Sequence, residues 1–501
     1  MIKILLQVLV LFCAQTVVGQ SVTGKVVDSK TRESIPFANL MWNGTESLVS
    51  NEEGFFTLSE NKSSESAVLT VSYLGYVSRQ MTVGQLQNQN NTITLEQGIF
   101  ALDDINVSNV KPDANSIMAA VNKNLVQNYS HKQPSKDMLF MREVSGMTPK
   151  KMDFEITKSS GFSKESLKKA NEQLNAFTSK LISNPSKGYV DMLCNYYQDN
   201  QTAGIAKSKK LEVLKAINLS DENRSVSIDE LQDSAFKIIF QHIDTTKFYR
   251  MKSGIIGSRD TISMRKNKKD NEGKKRSTEL IASKARLEAF FKSNNFSNDS
   301  NLDFVAQTDL YEYSYEGAVY SGQNEFAYVI AFKPKKRKAN YEGKLYISES
   351  DFAVVKAEYQ LAKGKTLNSI NLKLLFGIKA YSNVSKGTLI YKQNQSGDGY
   401  YLQYAATETG GYIYVNRPLK LIEISEEEKD VVAFDLKVEG NSSKKLEMLN
   451  ISRSEIPEST VANVTEKDFT YQRVKRYDPN IWKDYSTIEP LAEMKQYNAA
   501  D

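Results

Sequence analysis

Two histidines, His131 and His242, and two cysteines, Cys13 and Cys194, make up all the imidazole and thiol chemistry of the 501 residues. Catalytic zinc asks for about three N or O ligands with one position open, commonly two of them histidines. Neither histidine has an acid at a fitting offset: Pro134 stands three after His131, Thr245 three after His242, and His-Glu-x-x-His does not occur. A serine nucleophile lacks its Gly-x-Ser-x-Gly turn, and a serine or Cys194 would have to recruit one of the same two histidines as base. His242 lies in Phe240-Gln241-His242-Ile243-Asp244, a half-buried strand pattern, and reads as structural; Cys194 reads as a buried thiol.

Gly364-Lys365-Thr366 carries the end of a phosphate loop, but five residues before Gly364 stands Tyr359, so the glycine cradle is missing and the fragment reads as a turn. No Gly-x-Gly-x-x-Gly and no calcium-loop pattern occurs. The residue pattern therefore assigns no catalytic, cofactor-binding or metal-binding residue, and a non-enzyme is expected. A pair of carboxylates drawn from the sixty Asp and Glu stays open, because such pairing is spatial.

Two basic clusters remain, Arg265, Lys266, Lys268, Lys269, Lys274, Lys275 and Arg276, then Lys333, Lys335, Lys336, Arg337 and Lys338. They read as solvated loops, with contact to anionic lipid headgroups as the alternative. The formal charge of +5 is a mild excess that does not by itself call for a polyanionic partner. Tyrosine is abundant at 26 copies, and Tyr311, Tyr313, Tyr315, Tyr320 and Tyr328 crowd together. Alternation places Tyr311, Tyr313 and Tyr315 on one face, expected to complete a half-wet sheet surface rather than a glycan or lipid platform.

The elements that would position these residues begin after an export signal. Lys3 precedes an apolar run of about eleven residues that leads to small residues and a cleavage point after Gly19, too short for the ~20 residues of a membrane span. Residues 1–19 are thus expected to be a signal peptide. Phe12 before Cys13 argues against lipoprotein processing, and with Cys194 the remaining cysteine no internal disulfide is expected. Export also removes the nucleic-acid reading of the basic clusters. Sequons such as those at Asn43 and Asn463 gain meaning only in a eukaryotic secretory route.

Short β-branched runs follow at 22–27, 37–42, 54–58, 68–73, 76–83 and 92–95, separated by Pro36, Asn43-Gly44, Glu53-Gly54 and Gly75. Strands and breakers at this spacing predict a sandwich. Gly24-Lys25-Val26-Val27-Asp28, Ile35-Pro36-Phe37-Ala38-Asn39, the stretches 51–55 and 71–76, and Thr92-Ile93-Thr94-Leu95 occur in the order of the carboxypeptidase regulatory-like domain, which residues 20–107 resemble. That resemblance implies a seven-stranded-type β-sandwich serving folding and interaction rather than catalysis. It is found beside the catalytic unit of some carboxypeptidases and, in Gram-negative envelopes, ahead of transporter barrels and other exported proteins.

After a linker at 108–112, Asp113 can cap a helix whose Ala114, Ile117, Val121 and Leu125 form a stripe. Residues 113–144 resemble the helix and strand that such envelope proteins place after the sandwich. Within 113–301, amphipathic helices are predicted at 163–182, through Leu167, Leu174, Phe177 and Leu181, and at 277–291. Strand signals dominate 302–438, with polar tips at 334–340 and 396–399, and predict one large antiparallel curved sheet or half-barrel with covering helices. The Tyr341 to Ile347 core of this region resembles the β-rich second domain of regulatory-like-domain proteins. It is more remotely similar to the half-barrel of lipoprotein carriers and periplasmic sensors.

Residues 439–501 read as a tail anchored by aromatics, Trp482 foremost. The fold class expected is therefore mainly β with helices (α+β). The functional expectation is an exported, non-catalytic protein of the periplasm or outer membrane, whose sandwich docks or stabilises and whose β-rich domain binds an envelope partner or an amphiphile. A lipid or lipoprotein carrier or sensor, in which the helices plug the sheet, and a carboxylate-based hydrolase are the alternatives.

Overall fold

In the computed structural model the described residues are 21–98, 112–130, 133–159, 163–183, 185, 187–199, 201–202, 205–206, 208–219, 248–253, 256–257, 262–263, 278–296, 300, 302–322, 325–397, 399–424 and 431–498. The expected signal peptide, most of the linker, both histidines and the basic cluster from Arg265 to Arg276 lie outside them. The chain divides into two compact units: Met1–Ile99 with Tyr320–Asn324 and Asp478–Lys495, and Phe100–Val319 with Glu325–Tyr477 and Gln496–Asp501.

The first unit contains the sandwich. One sheet sets β1 (Val22–Asp28) between β4 (Phe55–Leu58), antiparallel, and β7 (Thr92–Leu95), parallel. The other runs β3 (Glu46–Val49), β2 (Asn39–Trp42), β5 (Val68–Ser72), β6 (Arg79–Thr82). Alternation turns Val26, Leu40, Phe56, Leu58, Leu69, Val71 and Ile93 into a common core. Seven strands result, one more than the runs counted in the sequence. The extra one, β3, forms because Asn43 (φ 45°) and Gly44 (φ 72°) adopt the left-handed pair of a tight hairpin turn. The run at 76–83 splits into β6 and helix α1 (Val83–Asn88), where Thr82 and Gln85 exchange side-chain bonds with each other's backbone N–H groups.

The tail segment Asp478–Lys495 belongs to this unit. The Glu60 N–H donates to the Lys483 carbonyl at 3.0 Å, and Asn51 Nδ2 to that of Glu489 at 3.2 Å. Lys62 Nζ reaches both Glu46 and Ser486 Oγ. Trp482 is buried, as expected of its anchor role.

The second unit is one large curved sheet that does not close. Its strands are β8 (Ser135–Ser159), β9 (Lys187–Gln198), β12 (Lys209–Leu219), β13 (Phe248–Ser253), β14 (Ile256–Gly257), β15 (Ile262–Ser263), β16 (Tyr311–Gly322), β17 (Glu325–Pro334), β18 (Tyr341–Ser348), β19 (Val354–Leu361), β20 (Leu367–Leu372), β21 (Ile378–Gln393), β22 (Tyr400–Glu423), β23 (Val431–Glu455) and β24 (Gln472–Val474). A separate short pair is β10 (Gln201–Thr202) with β11 (Ile205–Ala206). Among the described residues the main path is β16-β17-β18-β19-β21-β22-β23-β8-β9-β12-β24, with β20 on β21 and β13 on β22. The sheet thus exceeds the expected meander: β8, β9 and β12 come from the segment 113–301, and β23 carries it past Val438 into the stretch expected to be tail. β22 runs unbroken through the polar stretch at Thr409–Gly411, which is spanned by ladders to β21 and β23. β22, β23 and β8 have 24, 25 and 25 residues, about 80 Å at ~3.3 Å each.

Helices cover one face. Asp113 caps α2 (Ala114–Asn128), accepting from the Ser116 N–H at 2.9 Å. α3 (Lys164–Ser183), α4 (Thr278–Ser293) and the turn α5 (Asp303–Ala306) follow. Ile117, Met118 and Val121 of α2 with Leu287 and Phe290 of α4 meet Leu139, Met141, Met192, Cys194, Ala405 and Met448 of the sheet. Further along, Ala170, Leu174 and Leu181 of α3 pack on Met152, Phe154, Ile156, Leu421 and Phe434. Leu174 and Leu287 are fully enclosed, while Phe177 and Phe291 are half-buried at the edges of the same contacts.

Candidate functional site

Of the residues singled out by chemistry, Cys194 is completely buried, and burial together with nearby Asp137 pushes its thiol up to about 12. It is therefore protonated and unreactive at neutral pH. Gly364 takes φ +82° in the β19–β20 turn, and Lys365 Nζ donates to the Arg337 carbonyl at 2.8 Å, so the Gly-Lys-Thr fragment closes a turn. In the basic loop after β17, Lys333 pairs with Glu312 at 3.2 Å and Lys336 with Asp309 at 2.7 Å, which neutralises part of its charge.

The tyrosine stripe differs from expectation. Tyr311 and Tyr313 are core residues, not a half-wet surface, because α5 lies over them: the Tyr313 hydroxyl donates to the Phe304 carbonyl at 2.7 Å and that of Tyr311 to Asp303. Phe304 stacks on Phe332 with centroids 4.4 Å apart and meets Tyr341 and Tyr359 edge-on or tilted. Tyr129 of the α2 cap, Phe296 and Tyr391 extend the cluster. Below α4 a pocket lined by Met141, Met192, Arg286, Leu287, Leu446 and Tyr471 has a volume of about 20 Å³, room for about one water.

Charged groups converge inside the sheet, and two of the carboxylates, Asp191 and Asp137, are tightly tied. Arg142 of β8 forks onto Asp191 of β9 at 2.8 and 2.7 Å, both nearly enclosed. Burial opposes the guanidinium charge, and the Asp191 carboxylate outweighs it, so the Arg142 pKa is raised. Asp137 accepts from Asn450 at 2.8 Å, Arg453 at 2.9 Å, Gln198 at 3.1 Å and Ser135 at 3.3 Å. The Asp137 and Asp191 carboxylates, held in this way, lock strand register, whereas Glu143 keeps one buried oxygen without a partner at the pocket under α4. Among the described residues no three His, Cys, Asp or Glu side chains gather as a metal-binding group.

The feature that the sequence reading missed lies at the far end of β20. Within the region where strand signals dominate, the chain leaves the sheet after Leu372 and makes one helical turn, α6 (Lys373–Phe376). Gly377 ends it at φ +63°, and a Cβ there would stand 2.0 Å from the Asn416 carbonyl oxygen, so only glycine fits. The turn lifts Leu374, wholly exposed, and Leu375, 79% exposed, off the core, and Ile370 of β20 is 52% exposed. On the face of β22 opposite Leu419 and Leu421 stand Tyr412 and Tyr414. Tyr381 stacks on Tyr412 at 5.2 Å, Lys373 Nζ sits 4.3 Å over Tyr414, and Lys379 Nζ lies 5.3 Å over Tyr381. Partial burial and a 3.0 Å bond to Glu439 push the Tyr412 phenol up to about 12. The available signal was Leu372-Lys373-Leu374-Leu375-Phe376-Gly377, which lacks strand alternation and ends on a helix-stopping glycine.

Among the described residues no helix is long and apolar enough to cross a membrane. No curated protein matches the chain. Residues 22–107 match the family model described as CarboxypepD_reg-like domain, so the seven-stranded sandwich of the first unit is a carboxypeptidase regulatory-like domain.

Proposed function

We propose that the protein is an exported, non-catalytic component of the cell envelope whose sandwich docks or stabilises and whose large sheet binds a partner or amphiphile on its outside. The observation that carries this reading is the packing beneath the helices. Among the described residues an aromatic and aliphatic core packs between the helices and the sheet, and the pocket under α4 holds about 20 Å³, whereas small-molecule pockets run to roughly 300 Å³ and more. Among the described residues the two most exposed large apolar side chains, Leu374 and Leu375, sit at the rim on α6, while others such as Val126 and Ile281 are exposed on the covering helices. This arrangement counts against a carrier whose apolar ligand lies under α4, and the tied Asp137 and Asp191 carboxylates count against a hydrolase built on them.

Cell fractionation combined with mass spectrometry of the native N-terminus tests the location. The expected result is an envelope protein that starts near Gln20; an intact Met1 in the cytosol would overturn the reading. Titration with a fluorescent fatty acid tests the mode of binding. One-to-one saturable uptake, abolished by filling the space beneath α4, would move the protein to the carriers.

A further inference from the structure

The exposed tip has a chemical bias along its length. From residue 359 to residue 397 the chain contains Lys363, Lys365, Lys373, Lys379, Lys386 and Lys392 and no carboxylate, and residues 409–422 of the adjoining strand add Arg417 and Lys420, again without an acid. Leu374 and Leu375 are the two most exposed of the large apolar side chains. Next to them in the chain, Lys373 lays its ammonium group on the Tyr414 ring, and Lys379 on the Tyr381 and Tyr412 rings. Arg417 lies 5.9 Å over the Phe376 ring. An apolar point, then a ring of tyrosines, then cations matches the layering of a bilayer surface: acyl chains, interface, and anionic headgroups. A water-facing strand end has no use for an uncovered Leu-Leu pair; nearby carboxylates include Glu439, bonded to the Tyr412 hydroxyl, and Glu408, paired with Lys386 at 2.8 Å, but Lys373, Lys379 and Arg417 lie over aromatic rings beside the leucines and favour an anionic surface.

We propose that α6 and the adjoining ends of β20 and β21 form a membrane-contact point that inserts Leu374 and Leu375 into a bilayer bearing anionic headgroups. The inference rests on the outside-binding reading above and names its ligand as lipid. The basic loop at Lys333 to Lys338 is the weaker candidate, since Lys333 and Lys336 are paired and Leu374 has no counterpart there.

Flotation of the full chain with vesicles tests it, using phosphatidylcholine alone and phosphatidylcholine mixed equally with phosphatidylglycerol. Binding to the mixed vesicles is expected to fall about a hundredfold in Leu374→Ser/Leu375→Ser. Lys373→Ala and Lys379→Ala are each expected to cost about fivefold on mixed vesicles and nothing on phosphatidylcholine. Lys335→Ala/Lys338→Ala should leave binding unchanged. A Leu374→Trp variant should blue-shift in emission and be quenched by bromine-labelled acyl chains. Failure of the wild-type chain to float, equal binding by the double serine variant, or loss of binding only in the Lys335/Lys338 variant would each overturn the proposal. So would a dimer in sedimentation that the double serine variant dissolves, which would identify the tip as a self-association surface. An envelope location with no vesicle binding would sink the lipid inference alone; a cytosolic chain would sink the reading beneath it.

Discussion

The strands that run under α2 and α4 also run out to α6, yet the two ends of this sheet treat the same residue types in opposite ways. Under the helices, Leu287, Phe304 and Leu345 are wholly enclosed, and even tyrosines such as Tyr311, Tyr391 and Tyr400 bury their rings and find oxygens for their hydroxyls. At the tip, Leu372, Leu374 and Leu375 face outward, and tyrosines pair with lysines. The difference shows that burial here is set by which stretch of sheet receives a helix, not by the apolarity of the strand. An amphipathic stripe needs a partner face, and no helix packs on the tip among the described residues.

The contrast can be broken most sharply in the core. Phe304→Ala should cost about 3–5 kcal/mol, since it empties an enclosed aromatic site stacked on Phe332. Urea unfolding followed by tyrosine fluorescence would measure it, and a loss below about 1 kcal/mol would mean that α5 is not part of a permanent core. Asp191→Ala should cost a similar or slightly smaller amount, about 3–5 kcal/mol, because it strands the Arg142 charge between strands. Pairing it with Arg142→Met should recover much of the loss, and an absence of recovery would show that the pair's packing rather than its charge matters.

Gly377→Ala is expected to cost about 1–2 kcal/mol through the left-handed backbone and the Asn416 contact. Its distinguishing sign would be faster hydrogen exchange at Asn416, whose N–H donates to the Gly377 carbonyl at 2.8 Å, with the helix-covered core unaffected. A smaller effect is expected at Asp28 of the sandwich. The Thr31 N–H first, with the Lys30 N–H, Tyr76 and Gln97, holds its carboxyl down to about 2. A carboxylate with a folded pKa below its unfolded value of ~3.9 stabilises above that value and loses its contribution as pH falls toward 2. Asp28→Asn should therefore destabilise β1 at pH 7 and flatten the acid loss between about pH 4 and 2, read from hydrogen exchange at Val26 and Asp28. The smallest expected effect is the most pointed one: Leu374→Ala should change stability by less than about 0.5 kcal/mol. A loss of several times that in urea unfolding would mean that the tip is covered in solution, and the contrast between the two ends would vanish.

Much was legible locally. Asp113 ahead of Ala114, Ile117 and Val121 announced α2, and the spacing of Leu167, Leu174 and Leu181 announced α3 to within a residue at each end. The sandwich could be read because its strands are short, alternate cleanly and are separated by Pro36, Gly54 and Gly75. What was misread follows a common cause. Gly410 and Gly411 have poor strand propensity, but ladders on both sides hold them in β22. Residues 441–445 are polar and break the apolar alternation, so the stretch resembled a tail; pairing with β8 on one side and β22 on the other carries the strand through them to the buried Met448, Leu449 and Ile451. The capping box at Thr82 and Gln85 was on the page as a Thr-x-x-Gln pattern and was absorbed into a neighbouring strand run.

By itself, then, the sequence determined the kinds of elements, the regulatory-like sandwich, and the absence of any histidine-rich or glycine-rich motif, because each depends on residues close together in the chain. Tertiary structure alone decided which tyrosines are core and which stand at the rim, that the segment Asp478–Lys495 folds with the sandwich some four hundred residues away in sequence, and that Leu374 and Leu375 are left uncovered. These are questions of which surfaces meet. A leucine in a strand end carries the same side chain whether or not a helix arrives to cover it, and only the packed chain settles that.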